Sequence, residues 1–160
     1  MGYTTEFKGE FKLDKPLELK HKNYLDDFSR SRRMRRDPEL IKQVPDPVRE
    51  LAGLPCLPEY FVANAKVNYG QVHSPDVVEY NYPPYGQPSL WCQWVPTEDG
   101  TGIKWDGSEK FYEYIEWLGY IIDHFLTPWG YVLNGTVSWV GEDSGDTGDI
   151  IVANNAVGIR

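Results

Sequence analysis

Two cysteines are all that this 160-residue chain contains, and Cys56 and Cys92 do not form a Cys-x-x-Cys pair. That scarcity argues against a disulfide framework or a metal–thiolate site, and reduced thiols in a cytoplasm are the simplest expectation. No apolar run approaches the roughly 18 residues of a membrane span, and no apolar signal segment opens the chain, so no membrane association is expected. The nucleophile elbow, the P-loop, the dinucleotide fingerprint and the zinc spacings are all missing, so neither a cofactor nor a metal is expected. His21, His73 and His124 are too scattered to form a His-x-x-x-His pair. Basic residues are also in the minority: 16 against 24 acidic ones give a formal charge of -8. Direct nucleic-acid binding, which depends on neutralising phosphates, is therefore disfavoured.

What the chain has in excess is aromatic surface and unevenly placed charge. Aromatics make up 14% of the residues, with six Trp and eleven Tyr, and side chains of that size must be buried or displayed to a partner. Residues 1–58 hold 12 basic and 10 acidic groups, a balance of +2, whereas residues 98–160 hold 3 basic and 11 acidic groups, a balance of -8. The acidity thus belongs to the C-terminal half, where it would complement a basic surface on another macromolecule. The length suits a single domain over 1–160 with its own core.

Hydrophobic periodicity predicts an α+β fold: a single, mainly antiparallel sheet, a long helix packed on one face, and shorter N-terminal helices. Tyr3, Thr5, Phe7, Phe11 and Leu13 alternate with charged residues, the period of a half-buried strand, with Gly9 marking a bulge or close crossing. Helices are predicted over 18–35, 38–43 and 47–52, and a strand over 60–67. Residues 68–88 read as irregular, punctuated by proline and glycine. A hairpin is predicted with strands at 90–95 and 102–105 about an Asp99-Gly100 turn. The long helix is predicted over 108–126, with Asp106 and Glu109 as a capping box and Pro128 and Gly130 as its end. Strands over 131–140, 150–153 and 156–159 complete the sheet.

Three segments are candidates for function. Arg30, Arg32, Arg33, Arg35 and Arg36 place five arginines in seven residues. Such a run is either a solvated helix end favoured by the helix dipole, or an anion or partner site using Arg32, Arg33 and Arg36. Tyr80, Tyr82, Tyr85, Trp91 and Trp94 lie within fifteen residues, interleaved with prolines. They form either a binding surface rich in hot-spot residues or a loop that completes the core. The four carboxylates between Glu142 and Asp149 read as a hairpin turn rather than as a calcium loop, because their spacing does not fit an EF-hand. On the long helix, Trp117 and Tyr120 fall outside the main apolar stripe. Their cover is predicted to be either a second subunit in a homodimer or the 68–88 segment.

Asn81-Tyr82-Pro83-Pro84, Gly86-Gln87-Pro88, Leu90-Trp91-Cys92-Gln93-Trp94 and Trp139-Val140-Gly141-Glu142-Asp143 together resemble an uncharacterised family of small proteins of bacteria and their phages. The resemblance covers most of residues 80–152 and includes the opening Met1-Gly2-Tyr3. It implies a prokaryotic or phage origin and an intracellular protein, and it carries no catalytic residues. The resulting expectation is a non-enzymatic binding protein, a phage or prophage accessory factor that engages a host macromolecule. The alternative is a binder or hydrolase of a phosphorylated small molecule that uses the arginine-rich segment.

Overall fold

The computed structural model describes residues 2–160, so Met1 lies outside the described residues. In chain order the elements are β1 (Thr5–Lys8), β2 (Phe11–Leu13), α1 (Leu19–Arg30), β3 (Arg35–Arg36), α2 (Pro38–Ile41), α3 (Pro47–Leu51) and β4 (Val77–Glu79). Then come β5 (Trp94–Pro96), β6 (Gly102–Trp105), a long helix α4, and β7 (Leu133–Gly141), β8 (Thr147–Ala153) and β9 (Ala156–Ile159). Helix α4 runs as α-helix over Tyr114–Ile121, widens to a π-turn over Ile122–Leu126 and closes with Thr127–Trp129. Among the described residues, no helix is long and apolar enough to cross a membrane. The chain divides into two compact units, one formed by Glu18–Cys92 and the other by the chain up to Leu17 together with Gln93–Arg160.

The second of these units carries a seven-stranded sheet of order β5-β6-β2-β7-β8-β9, with β1 also paired to β7. All of its pairings are antiparallel. The alternation read over 3–13 is one strand broken at Gly9, whose φ of +103 favours a residue without a side chain. A Cβ there would sit 3.0 Å from the Thr136 carbonyl oxygen, so close approach also demands glycine. The register survives the break, because Thr5 faces Gly141 and Lys12 faces Asn134, each pair summing to 146. Within the gap Phe11 pairs with Ile103 of β6, which is how one broken strand joins two parts of the sheet.

At the other edge, Asn154 and Asn155 adopt φ of 48 and 68, the left-handed pair that a two-residue hairpin requires. Asn155 also accepts from the Leu133 backbone at 2.6 Å and donates to the Tyr131 carbonyl at 2.9 Å, tying the turn to the start of β7.

The long helix begins later than its periodicity predicts. Asp106 accepts from Ser108 N at 2.8 Å and so makes a local turn instead of a cap. Lys110 and Glu113 have positive φ, which breaks helical continuity until Tyr114. At the other end Pro128 sits inside the helix, where its ring would collide with the carbonyl four residues back. The π-turn just before it absorbs that conflict. Gly130 then ends the helix at φ 87, with Gly130 N bonded to Thr127 O and Tyr131 N to Leu126 O.

Phe111, Leu118, Ile121, Ile122 and Phe125 are buried, as their spacing predicts. Trp117 is fully buried as well, and Tyr120 is only 8% exposed. The helix therefore offers no Trp117–Tyr120 patch to a second copy, which removes the observation that pointed to a homodimer. Leu118→Ala is expected to cost about 2–5 kcal/mol through the cavity it leaves. Urea unfolding measures this, and a loss below about 1 kcal/mol would contradict a core position.

In the Glu18–Cys92 unit, the predicted short helices appear at Pro38–Ile41 and Pro47–Leu51. The strand predicted over 60–67 does not form. Pro58–Tyr60 is a 3-10 turn and the chain continues through turns, with Ala65 N bonded to Val62 O. Local three-residue bonds outcompete a ladder here because no neighbouring strand pairs with the segment. Conversely, the 68–88 stretch, predicted irregular, holds strand β4, which pairs with β3.

Candidate functional site

The arginine run is not a helix end. Helix α1 stops at Arg30 because Ser31 leaves the helical region at φ -101 and ψ 126. From there the chain is extended and laced to the tyrosine–proline segment by its backbone. Arg33 N donates to Leu90 O at 2.8 Å, Arg35 N to Tyr82 O at 3.0 Å, and Asp37 N to Asp76 O at 2.8 Å. These long-range bonds bring together two segments that read as separate candidates in the sequence.

Beyond Arg30, the last residue of α1, the other four arginines of the run divide into two pairs. Arg33 and Arg36 are buried, 2% and 6% exposed. Arg33 gives Nη2 to Glu59 O at 2.8 Å, Nη1 to Phe61 O at 3.0 Å and Nε to Gln87 Oε1 at 3.2 Å, with its guanidinium 4.2 Å from the Phe28 ring centre. Arg36 pairs with buried Asp76 at 2.7 Å and lies 4.4 Å from the Phe61 ring centre. Both guanidinium groups, read from the sequence as either a solvated helix end or an anion or partner site, are turned to acceptors and rings within the unit.

Arg32 and Arg35 are half-buried and stack on tyrosines. Arg32 lies 4.2 Å from the Tyr80 ring centre and donates to Tyr80 O and Asn81 Oδ1, both at 3.0 Å. Arg35 lies 3.9 Å from the Tyr85 ring centre and 5.5 Å from that of Tyr82, with Nε on Pro83 O at 2.8 Å. Among the described residues its two Nη atoms find no hydrogen-bond acceptor. Tyr82 and Tyr85 remain 56% and 82% exposed, so the guanidinium steadies the rings without covering them. Trp91 is half-buried in this unit. Trp94 does not belong to the surface: it is 2% exposed in the core of the sheet unit, its Nε1 donating to Tyr114 O at 2.8 Å.

Beside Arg35 and Tyr85 lies a pocket of about 620 Å³. Leu57, Pro58, Val78 and Pro84 supply its apolar lining, and Asp37, Glu59 and Glu79 bring carboxylates to it. Arg35 was in the arginine run but was not singled out from sequence, and Leu57 and Val78 carried no signal beyond being apolar.

The same unit buries three arginines and three aspartates: Arg33, Arg36 and Arg49 with Asp27, Asp46 and Asp76. Burial pushes the carboxyls of Asp27 and Asp46 above their ordinary range; for Asp46 the Val62 N–H, Arg49 and Arg33 only partly oppose it. Burial acts in the same sense on Asp76, but the Ser74 hydroxyl and Arg36 outweigh it and hold that carboxyl low. Among the described residues Asp46 Oδ1 and Arg49 Nε find no hydrogen-bonding partner, although Arg49 Nε lies 3.4 Å from Asp46 Oδ2 in an ion pair.

A folded-state value raised above the unfolded one contributes stability below the unfolded value of about 3.8, lost as pH rises through the raised one. The stability of the native chain relative to Asp46→Asn should therefore decline as pH rises from about 3 to about 6. Urea unfolding at both pH values checks the sign, and a difference that grows with pH would refute it.

The acidic stretch predicted as a turn over Glu142–Asp149 is a shorter β7–β8 turn over 142–146, with Asp149 inside β8, and its carboxylates serve the fold. Asp146 accepts from Tyr3 Oη at 2.6 Å and Trp139 Nε1 at 3.0 Å, and both bonds hold its carboxyl below the ordinary range. Asp149 accepts from Ser138 Oγ at 2.7 Å and pairs with Arg160 at 3.1 Å. Among the described residues no group of three or more His, Cys, Asp or Glu is placed to hold a metal ion. Calcium is expected to leave the melting temperature unchanged; a bound ion at a hundred times its Kd would add about 2.7 kcal/mol. No protein-family model matches this chain, and no curated protein or solved structure matches it.

Proposed function

We propose that this chain is a non-enzymatic binding protein that engages a host macromolecule through the Tyr82–Tyr85–Arg35 surface of its Glu18–Cys92 unit, as a phage or prophage accessory factor working in the cytoplasm. The observation that carries this reading is Tyr85, a large ring 82% exposed yet held by a guanidinium at 3.9 Å. An exposed ring that is already positioned loses little freedom on association, which is how tyrosine and arginine come to dominate binding energies. The proposal also takes helix α4 to lie across one face of the sheet, a reading supported by Tyr114, whose ring is 4.9 Å from that of Phe7 in β1.

A second reading, a phosphorylated small-molecule ligand, is favoured by one observation: Arg35 keeps both Nη atoms without an acceptor, the fork that phosphate and carboxylate match. Arg33 and Arg36 no longer help it, since their donors go to protein acceptors.

Affinity capture from bacterial lysate with the native chain and with Tyr85→Ala, followed by Kd measurement on the purified partner, tests the proposal. A partner whose binding falls by about tenfold or more in the variant is the expected result. Equal binding by both chains would overturn it. A thermal shift with nucleotides that disappears in Arg35→Gln would instead favour the second reading.

A further inference from the structure

We infer that the pocket beside Tyr85 takes an extended, cationic segment of the partner protein, anchored by one apolar side chain. The inference rests on the binding reading above and names the chemistry of the occupant. Its first support is charge. Asp37, Glu59 and Glu79 bring three carboxylates to the lining, against Arg35 and Arg36. Arg36 adds no net charge, because Asp76 neutralises it at 2.7 Å and both are buried. The remaining balance is three negative groups against one positive, and among the described residues neither Glu59 nor Glu79 forms an ion pair. Such a rim attracts lysine or arginine side chains and repels acidic ones.

The second support is shape and surface. Leu57 and Val78 are 41% and 61% exposed, apolar groups left uncovered around a pocket of about 620 Å³. An apolar side chain seated between them and Pro84 would remove that surface from water. The third is the strand beside it. β4, which supplies Val78 and Glu79, has a neighbouring strand on one side only. An extended segment can add to such an edge through main-chain hydrogen bonds while alternate side chains enter the pocket.

Fluorescence anisotropy with labelled eight-residue peptides tests this, each with a central leucine flanked by lysines, by glutamines or by glutamates. The lysine-flanked peptide should bind the native chain most tightly and weaken as salt is raised. Glu59→Gln/Glu79→Gln should reduce its affinity about tenfold and bring it level with the glutamine-flanked peptide. Among the described residues neither glutamate side chain makes a hydrogen bond or an ion pair, and glutamine keeps the size of each, so the double variant should keep the native urea midpoint. Tighter binding of the glutamate-flanked peptide, abolished by Arg35→Gln, would overturn the inference in favour of an acidic occupant. Absence of binding by every peptide up to about millimolar concentration would also overturn it. If Tyr85-dependent capture persists in either case, only the cationic occupant fails; if capture is insensitive to Tyr85, the wider reading fails with it.

Discussion

Arg33→Ala is expected to destabilise the chain by about 3–5 kcal/mol, among the largest losses any single substitution here should cause. Three acceptors depend on one planar group: the carbonyls of Glu59 and Phe61 and the Gln87 side chain. Truncation removes one donor from each, leaving Glu59 O its 2.7 Å bond from Gln87 Nε2, in a region where Arg33 itself is 2% exposed, so water cannot fully replace the lost bonds. The 3-10 turn at Pro58–Tyr60, the extended arginine run and the loop ending at Gln87 would all lose their common tie. Arg33→Lys should rescue little, because an ammonium cannot present a planar fork to three separated acceptors. Arg33 also helps to offset the burial of Asp46, so the variant should push that carboxyl higher still. Urea unfolding followed by far-ultraviolet circular dichroism measures the loss. A cost below about 1 kcal/mol, or full rescue by lysine, would show that the arginine is a solvated group after all.

Trp94→Ala should cost a similar amount, about 3–5 kcal/mol, and for a different reason. Its ring meets Phe7 at 5.4 Å, Phe11 at 5.7 Å and Phe111 at 5.3 Å between ring centres, all at steep interplanar angles. Deleting the indole opens a cavity among three other aromatics and removes the donor to Tyr114 O. The comparison that gives the measurement its force is Tyr85→Ala. Tyr85 stood in the same aromatic group by sequence, but at 82% exposure its loss should change stability by no more than about 0.5 kcal/mol. A Trp94 variant as stable as the Tyr85 variant would contradict the core assignment. A Tyr85 variant as unstable as the Trp94 variant would contradict the reading of an exposed binding surface.

Residues with a local reason for their conformation were legible in the sequence. The β7–β8–β9 meander was, because alternation and an Asn154-Asn155 turn are read within a few residues. So were the two short helices after Asp37 and Asp46, where proline at the first helical position presets φ. The buried stripe of α4 followed from 3.6-residue spacing alone. Its start did not, since Asp106 has two uses in the alphabet of local bonds, capping a helix or making a turn. Spacing cannot choose between them.

By itself the sequence determined an α+β chain with antiparallel strands, the stripe that the long helix buries, and the uneven distribution of charge. The reason is that period and turn chemistry act over one to four residues. Only tertiary structure decided what the arginines and tyrosines do. Bonds from Arg33 to Leu90 and from Arg35 to Tyr82 join residues dozens of positions apart, and they depend on which backbone groups remain unpaired once the chain folds. Those bonds bury Arg33 and leave Arg35 stacked at the surface, though the two sit two residues apart in one run. Tertiary packing likewise enclosed Trp94 and Trp117 and left Tyr85 in water, because burial belongs to the neighbours a side chain acquires and not to its identity.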